Sequence, residues 1–260
     1  MENLLKVAIA AAHEAAEEIM RVYQDPRQNF DIEVKSDKSP LTRADRAAHK
    51  CIVRHLSETG IPILSEEGAH LPYEERKEWH RLWVVDPLDG TKEFIKKNGE
   101  FTVNIALVED GSPVLGVILV PVTGIMYFGI VGMGAWKAAS DSLGNEKEVL
   151  HLDGDAERED VYTIVASRSH LNPETEQYIN QMRNLHKAVK LISSGSSLKI
   201  CLVAEGKADV YPRFAPTMEW DTAAGDAIIR ASGKQIVNAE TGQPLIYNKP
   251  DLHNPWFIVR

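Results

Sequence analysis

The chain of 260 residues predicts an α/β (α+β) protein built on two sheets, from three observations. Near the N-terminus, Leu5, Ile9, Ala12, Ala16, Ile19 and Tyr23 recur every three or four residues, the period of an amphipathic helix. Between 101 and 138, β-rich runs are divided by turn residues, which predicts an antiparallel meander in the N-terminal half. Beyond 160, strand-like and helix-like segments alternate, which implies a second sheet flanked by helices.

In chain order, the first helix spans 1–23, with Glu14, Glu17, Glu18 and Arg21 on its polar side. Those acidic residues and the missing basic start exclude a secretory signal. Thr42 and Asp45 form a capping pair for a helix with Ala47, Ala48, Cys51, Ile52 and Leu56 on its apolar side, ending before Gly60. Short β-rich runs follow at 61–65 and 82–86, then strands at 102–108, 114–120 and 125–131. Asp110-Gly111-Ser112-Pro113 and the segment 121–124 turn the meander, and Gly132-Met133-Gly134 reads as a further turn. The polar stretch 140–160 divides an α+β domain (1–155), which carries most of the candidate ligands, from an α/β domain (156–260). In the second domain, strands are expected at 161–166, 188–192, 208–211, 235–238 and 256–259, and helices at 173–185, 197–205 and 221–231. There is no internal repeat.

Composition narrows the function. Hydrophobic residues at 43% and charged residues at 26% are ordinary for a globular chain. A formal net charge of −9 repels phosphate, which argues against nucleic-acid polymers and anionic membranes as partners. A phosphorylated substrate would need local basic residues or a metal ion to reverse that field. No apolar run approaches the ~20 residues of a membrane span. Cys51 and Cys201 lie in apolar segments and read as buried, reduced thiols, which fits a cytosolic protein.

Four clusters carry chemistry: Ser39-Pro40-Leu41-Thr42 with Asp45, Ser65-Glu66-Glu67-Gly68, Asp86-Pro87-Leu88-Asp89-Gly90-Thr91, and Glu219-Trp220-Asp221-Thr222-Ala223-Ala224-Gly225. Val84-Val85 reads as buried strand that ends at Asp86, because Pro87 restricts the backbone and Gly90 permits a tight turn. Such a turn can aim two carboxylates and the Leu88 carbonyl at one point, a donor set suited to Mg²⁺. Thr91 can open a helix whose free N–H groups suit a phosphate. The same text also reads as an Asx turn with an aspartate cap, and alone it does not decide between the two. Asp45 and Asp221 alone read as helix caps, Trp220 as a core aromatic and Glu66-Glu67 as a solvated pair. Four acidic clusters in apolar contexts are hard to assign to coincidence.

Together these motifs resemble the inositol monophosphatase-like, lithium-sensitive, metal-dependent phosphatases, over essentially the whole chain. The text most similar to the bacterial branch acting on nucleoside 3',5'-bisphosphates is Lys92-Glu93-Phe94, the segment 98–104, Ser167-Arg168-Ser169-His170, Gly195-Ser196-Ser197-Leu198-Lys199 and Tyr211-Pro212-Arg213. The resemblance implies a layered α/β/α/β/α sandwich with an antiparallel N-terminal sheet and a mixed C-terminal sheet. It also implies Mg²⁺-dependent hydrolysis of the 3'-phosphate of adenosine 3',5'-bisphosphate or 3'-phosphoadenylyl sulfate, linked to sulfur assimilation. Two or three Mg²⁺ are implied. Glu66, Asp86 and the Leu88 carbonyl would hold one; Asp86, Asp89 and Asp221 a second; Glu66 is available to a third. Thr91, hydrogen-bonded to Asp45, would orient and help deprotonate the attacking water. Lys35 and Glu67 would support the ligands. Gly90, Thr91, Ser167, His170, Gly195, Lys199 and Asp221 would contact the substrate. Arg168 can add a further arm around the nucleotide, and Arg213 can hold the phosphate that is not cut. The expected partner is a small nucleotide, with a homodimer compatible. The expected location is the cytoplasm, with the cytoplasmic face of the inner membrane compatible.

Rival readings are weaker. A covalent aspartyl phosphatase needs its two aspartates separated by one residue, and here Pro87 and Leu88 both intervene. The P-loop pattern is absent. An inositol or sugar phosphatase is the enzymatic alternative. Loss of a ligand carboxylate or of Thr91 would favour the non-enzymatic alternative, a metal- or nucleotide-sensing protein, and neither is lost.

Overall fold

A computed structural model describes residues 1–27, 30–34, 40–68, 71–139, 150–152, 161–167 and 172–260. Helix α1 (Glu2–Tyr23) buries Ala8, Ala11, Ala12, Ala15, Ala16, Ile19 and Val22. The buried stripe is thus mainly alanine rather than the larger apolar residues of the sequence pattern, which lets α2 (Arg43–Ser57) lie close. After the short hairpin β1 (Glu33–Val34) and β2 (Pro40–Leu41), Thr42 caps α2. Its backbone N–H (2.7 Å) and hydroxyl (2.5 Å) both donate to Asp45 Oδ2. The capping pair read from the sequence is therefore present.

The helix pair covers one face of a seven-stranded sheet, in the order β3 (Ile63–Ser65), β4 (Arg81–Asp89), β5 (Thr102–Glu109), β6 (Ser112–Val120), β7 (Ile125–Ile130), β8 (Gly134–Ala139) and β9 (Leu150–Leu152). The short helix α3 (Tyr73–Arg76) lies between β3 and β4. Pairing is antiparallel throughout except for β3–β4, which is parallel. One face of the central strands packs on α1 and α2 through Trp83, Val85, Val103, Ile105 and Val117. The alternate residues, among them Leu82, Val84, Ala106 and Ile118, pack on α6 (Leu198–Ala204) and α7 (Glu219–Ala231). Burial on both faces explains why these strands read as continuous apolar runs. Helix α7 lies so close to β6 that a Cβ on Gly116 would fall 2.2 Å from the Ala224 carbonyl oxygen.

Beyond these helices, β10 (Tyr162–Ser167) and β11 (Val189–Ser194) pair in parallel. An isolated parallel bridge from Ile164 to Val210 connects them toward β12 (Tyr211–Arg213). That strand pairs antiparallel with β14 (Phe257–Val259), which also holds β13 (Ile236–Asn238). Helix α5 (Pro173–Leu185), capped by Asn172, completes the layered α/β/α/β/α order. No helix of the described residues is long and apolar enough to cross a membrane.

Four sequence expectations are corrected. The strand expected to end at Asp86 runs to Asp89, with a register shift between the two that accommodates Pro87. The N-terminal sheet has one parallel pair. Helix α7 starts at Glu219, so Asp221 is not the N-cap residue itself but the third helical residue, whose carboxylate accepts from the N-cap Met218 N at 2.8 Å in a capping box. Cys201 is buried as expected, but Cys51 is partly exposed.

Candidate active site

The site forms where β4 leaves the sheet. Asp86 is 1% exposed, and its Oδ1 accepts from Leu88 N at 3.0 Å, which fixes the turn. Gly90 follows at φ +94°, and a Cβ there would lie 3.2 Å from the Glu100 carbonyl oxygen, so glycine suits both the backbone and the space. Thr91 then opens helix α4 (Thr91–Ile95). Its hydroxyl lies 3.3 Å from Asp45 Oδ1 and 3.4 Å from the Leu88 carbonyl oxygen. Asp45 reaches this point from α2, 2% exposed, with Oδ2 committed to Thr42 and Oδ1 turned to Thr91. Burial pushes the Asp45 carboxyl up to about 6, helped by the charges of Glu67 and Glu66.

Asp221 is carried in by α7. Carboxylate oxygens of Asp86, Asp89 and Asp221 all lie within 4.8 Å of one another. Burial, and then the charges of Glu66, Asp89 and Asp221, push Asp86 well above the usual carboxylate range. Asp221 is pushed up to about 8, by burial first and the charge of Asp89 next. Like charges held this close are relieved either by a retained proton or by a cation. Every donor is a hard oxygen, the set that Mg²⁺ or Ca²⁺ takes and that softer thiolate-seeking metals do not prefer.

Asp89, Gly90, Thr91 and Asp221 also line a cavity of about 330 Å³, which continues over Gly195, Lys199 and Arg213. Lys199 is 6% exposed, so it is not a surface lysine. Its ammonium donates to the Ser196 carbonyl and lies 5.4 Å from the centre of the Tyr211 ring. Burial pushes it down to about 8. Arg213 Nη2 donates to the Pro216 carbonyl at 3.2 Å, while its buried Nε has no hydrogen-bond partner. An unsatisfied buried donor lining a cavity is suited to an anion.

Of the other residues expected at the site, Glu67 lies in the turn after β3, its charge felt at Asp45. Ser167 ends β10 opposite Ser194. Lys35, Arg168 and His170 lie outside the described residues. Sequence reasoning missed Glu100, Thr102 and Asn104 as individual contacts to the 195–197 turn. The available signal was polar Thr102 and Asn104 inside an apolar strand.

Comparison with known proteins gives this geometry its family. The model of the inositol monophosphatase family matches residues 1–255. The chain belongs to the inositol monophosphatase family. Within it, the chain is 45% identical over 251 residues to the 3'(2'),5'-bisphosphate nucleotidase CysQ of Escherichia coli strain K12, covering 95% of this chain and 96% of that one. It is 44% identical over 259 residues to the protein of the same name from Salmonella typhimurium, covering 98% and 99%. The crystal structure of CysQ from Bacteroides thetaiotaomicron, described as a bacterial member of the family, superposes with a TM-score of 0.90 at 54% identity, covering 99% and 97%. Membership implies dependence on a divalent metal, in accord with the carboxylate cluster.

Proposed function

We propose that the chain is a Mg²⁺-dependent phosphoric monoester hydrolase that removes the 3'-phosphate of adenosine 3',5'-bisphosphate, leaving AMP, and so serves sulfur assimilation. The observation that carries this reading is the convergence of Asp86, Asp89 and Asp221 beside a cavity that also holds Lys199 and Arg213. The relatives named for this activity, matched over nearly their whole length, support it.

Glu66, Asp86 and the Leu88 carbonyl would hold one Mg²⁺, and Asp86, Asp89 and Asp221 a second. Bound there, Mg²⁺ supplies positive charge that favours deprotonation of the attacking water and stabilises the departing ribose oxygen. The chain's own contribution centres on Thr91 and Asp45. Thr91 Oγ1 donates to Asp45 Oδ1, which leaves its lone pairs to accept from the attacking water and orient it. Asp45, pushed up to about 6, can take the proton passed through Thr91 near neutral pH. Lys199 and Arg213 bind the phosphate that is not cut, since a nearby anion offsets the cost of burying Lys199 as a cation. Gly195 lines the cavity through its backbone, with Glu100 filling the space a Cβ would need, and Gly195, Ser167, Arg168 and His170 form further contacts to the nucleotide. Lys35 and Glu67 support the acidic ligands. The free thiols Cys51 and Cys201 suit a cytoplasmic enzyme.

The test is phosphate release from adenosine 3',5'-bisphosphate and from inositol 1-phosphate, with Mg²⁺ or with chelator. The bisphosphate should be the faster substrate and chelator should stop turnover. Undiminished activity in chelator, or faster hydrolysis of inositol 1-phosphate, overturns the reading.

A further inference from the structure

Glu100, Thr102 and Asn104 alternate along the entry to β5, so a two-residue period sets them on one face of the extended chain. They meet three successive residues of the turn after β11. Gly195 N donates to Glu100 Oε2 at 2.9 Å. Ser196 Oγ lies 2.5 Å from Thr102 Oγ1. Asn104 Nδ2 donates to Ser197 Oγ at 2.9 Å. Thr102 and Asn104 are 0% and 1% exposed, and a 2.9 Å bond from Thr102 Oγ1 to Asn104 Oδ1 links them. Buried polar groups in an apolar sheet have to find partners, and the turn provides them.

The two serines pass this order on to the acidic cluster. Their hydroxyls reach the same atom, Asp89 Oδ2, at 2.7 Å from Ser196 and 2.8 Å from Ser197. A hydroxyl has one proton to give. Because Asn104 Nδ2 can only donate, Ser197 accepts from it and turns its own proton outward, to Asp89 or to the Asp221 carbonyl at 2.9 Å. Thr102 gives its own proton to Asn104 Oδ1, which holds the amide with Nδ2 toward Ser197, so Thr102 reaches Asp89 through Asn104 and Ser197. Ser196 has one proton to share between Thr102 Oγ1 and Asp89 Oδ2. Ser196 reaches Asp89 from φ +51°, a left-handed conformation that a Cβ disfavours. Glycine would fit that backbone without strain but would lack the hydroxyl.

We propose that Thr102 and Asn104 are positioning residues that act through Ser197, with Ser196 beside it, to occupy Asp89 Oδ2, so that only Oδ1 of this carboxylate faces the cation. The inference rests on the reading of Asp89 as a cation ligand. Its consequence is selectivity. Mg²⁺ demands compact octahedral coordination, while Ca²⁺ accepts bidentate carboxylates at longer distances. A carboxylate held through one oxygen favours Mg²⁺, and a released one can turn both oxygens to Ca²⁺.

The test is calorimetric binding of Mg²⁺ and of Ca²⁺ to the whole protein without substrate, alongside the melting temperature in chelator. Thr102→Val keeps the volume and removes the hydroxyl. It should weaken Mg²⁺ binding about tenfold or more, the usual effect of losing a partner of a metal ligand, and weaken Ca²⁺ binding less. Thr102→Ser should restore Mg²⁺ affinity to within about threefold of wild type, on the rule that the oxygen carries the effect. Ser196→Gly separates positioning from folding, since it relieves the backbone: it should melt no lower than wild type in chelator yet bind Mg²⁺ more weakly. Asp89→Asn is the control for the site itself. If it weakens Mg²⁺ binding while Thr102→Val and Ser196→Gly leave Mg²⁺ affinity and the Mg²⁺/Ca²⁺ ratio unchanged, the positioning role is overturned and the cation site stands. If Asp89→Asn also leaves Mg²⁺ affinity unchanged, the cation reading fails and the positioning role fails with it.

Discussion

Removing the divalent cation should make the protein less stable as pH rises, and the structure sets the scale. Asp86, Asp89 and Asp221 present oxygens within 4.8 Å of one another. At that separation and an effective dielectric of ~20, two carboxylate charges repel by about 3.5 kcal/mol. The metal-free fold relieves this by keeping protons: Asp86 is pushed well above the usual carboxylate range and Asp221 up to about 8. In the unfolded chain these aspartates ionise near ~4. Between roughly pH 4 and 8 the folded state therefore binds more protons than the unfolded state, so stability is present below that window and falls as pH rises through it. Each such proton is worth ~1.4 kcal/mol per pH unit. For a chain of this size that moves the melting temperature by ~3–5 °C per pH unit and group. Mg²⁺ at ~100 times its dissociation constant returns ~2.7 kcal/mol, or ~5–10 °C. Melting followed by circular dichroism at pH 5.5, 6.5 and 7.5, in chelator and in Mg²⁺, should show a gap that widens with pH. A gap that stays constant, or no rise with Mg²⁺ at all, would refute the argument that these carboxylates form one coupled cation site.

Three further outcomes follow from the geometry. Thr91→Ala should lower kcat about a hundredfold with little change in KM, while Thr91→Ser keeps much of the activity because it retains the oxygen beside Asp45; equal loss in both variants would point to a packing role at the start of α4. Lys199→Ala should raise KM for adenosine 3',5'-bisphosphate about tenfold or more, since a charge-assisted contact is worth ~1.5–3 kcal/mol; a matching rise for inositol 1-phosphate would mean that Lys199 only supports the turn through the Ser196 carbonyl. Gly116→Ala should destabilise the fold by ~1–3 kcal/mol or more in urea melts, because the new methyl meets the Ala224 carbonyl oxygen at 2.2 Å; an unchanged midpoint would show that α7 can move away from β6.

The acidic turn was legible because its determinants are local. Pro87 and Gly90 restrict and release the backbone within six residues of Asp86-Pro87-Leu88-Asp89-Gly90-Thr91, and the meander was marked by its turns. Strand β8 was not legible, since Gly134-Ala135-Trp136-Lys137-Ala138-Ala139 is poor in β-branched residues and gains its place by pairing with β7 and β9. The extension of β4 through Pro87 was hidden for the opposite reason, because proline argues against a strand unless a register shift absorbs it.

The approach of Asp221 to Asp89 depends on how closely α7 lies against the sheet, and no local pattern encodes that. A net charge of −9 nevertheless posed the question that this packing answers, namely how an acidic chain can bind a phosphate ester. Concentrating Asp86, Asp89 and Asp221 deepens the repulsion until a cation enters, and the same cavity then adds Lys199 and Arg213. Local charge can thus oppose the overall field. Salt screens the distant charges over ~8 Å near physiological ionic strength but hardly affects contacts inside the cavity. Moderate salt at saturating Mg²⁺ should therefore leave KM for the bisphosphate unchanged or lower it slightly, whereas a steep rise in KM would mean that exposed basic residues outside the cavity do the binding.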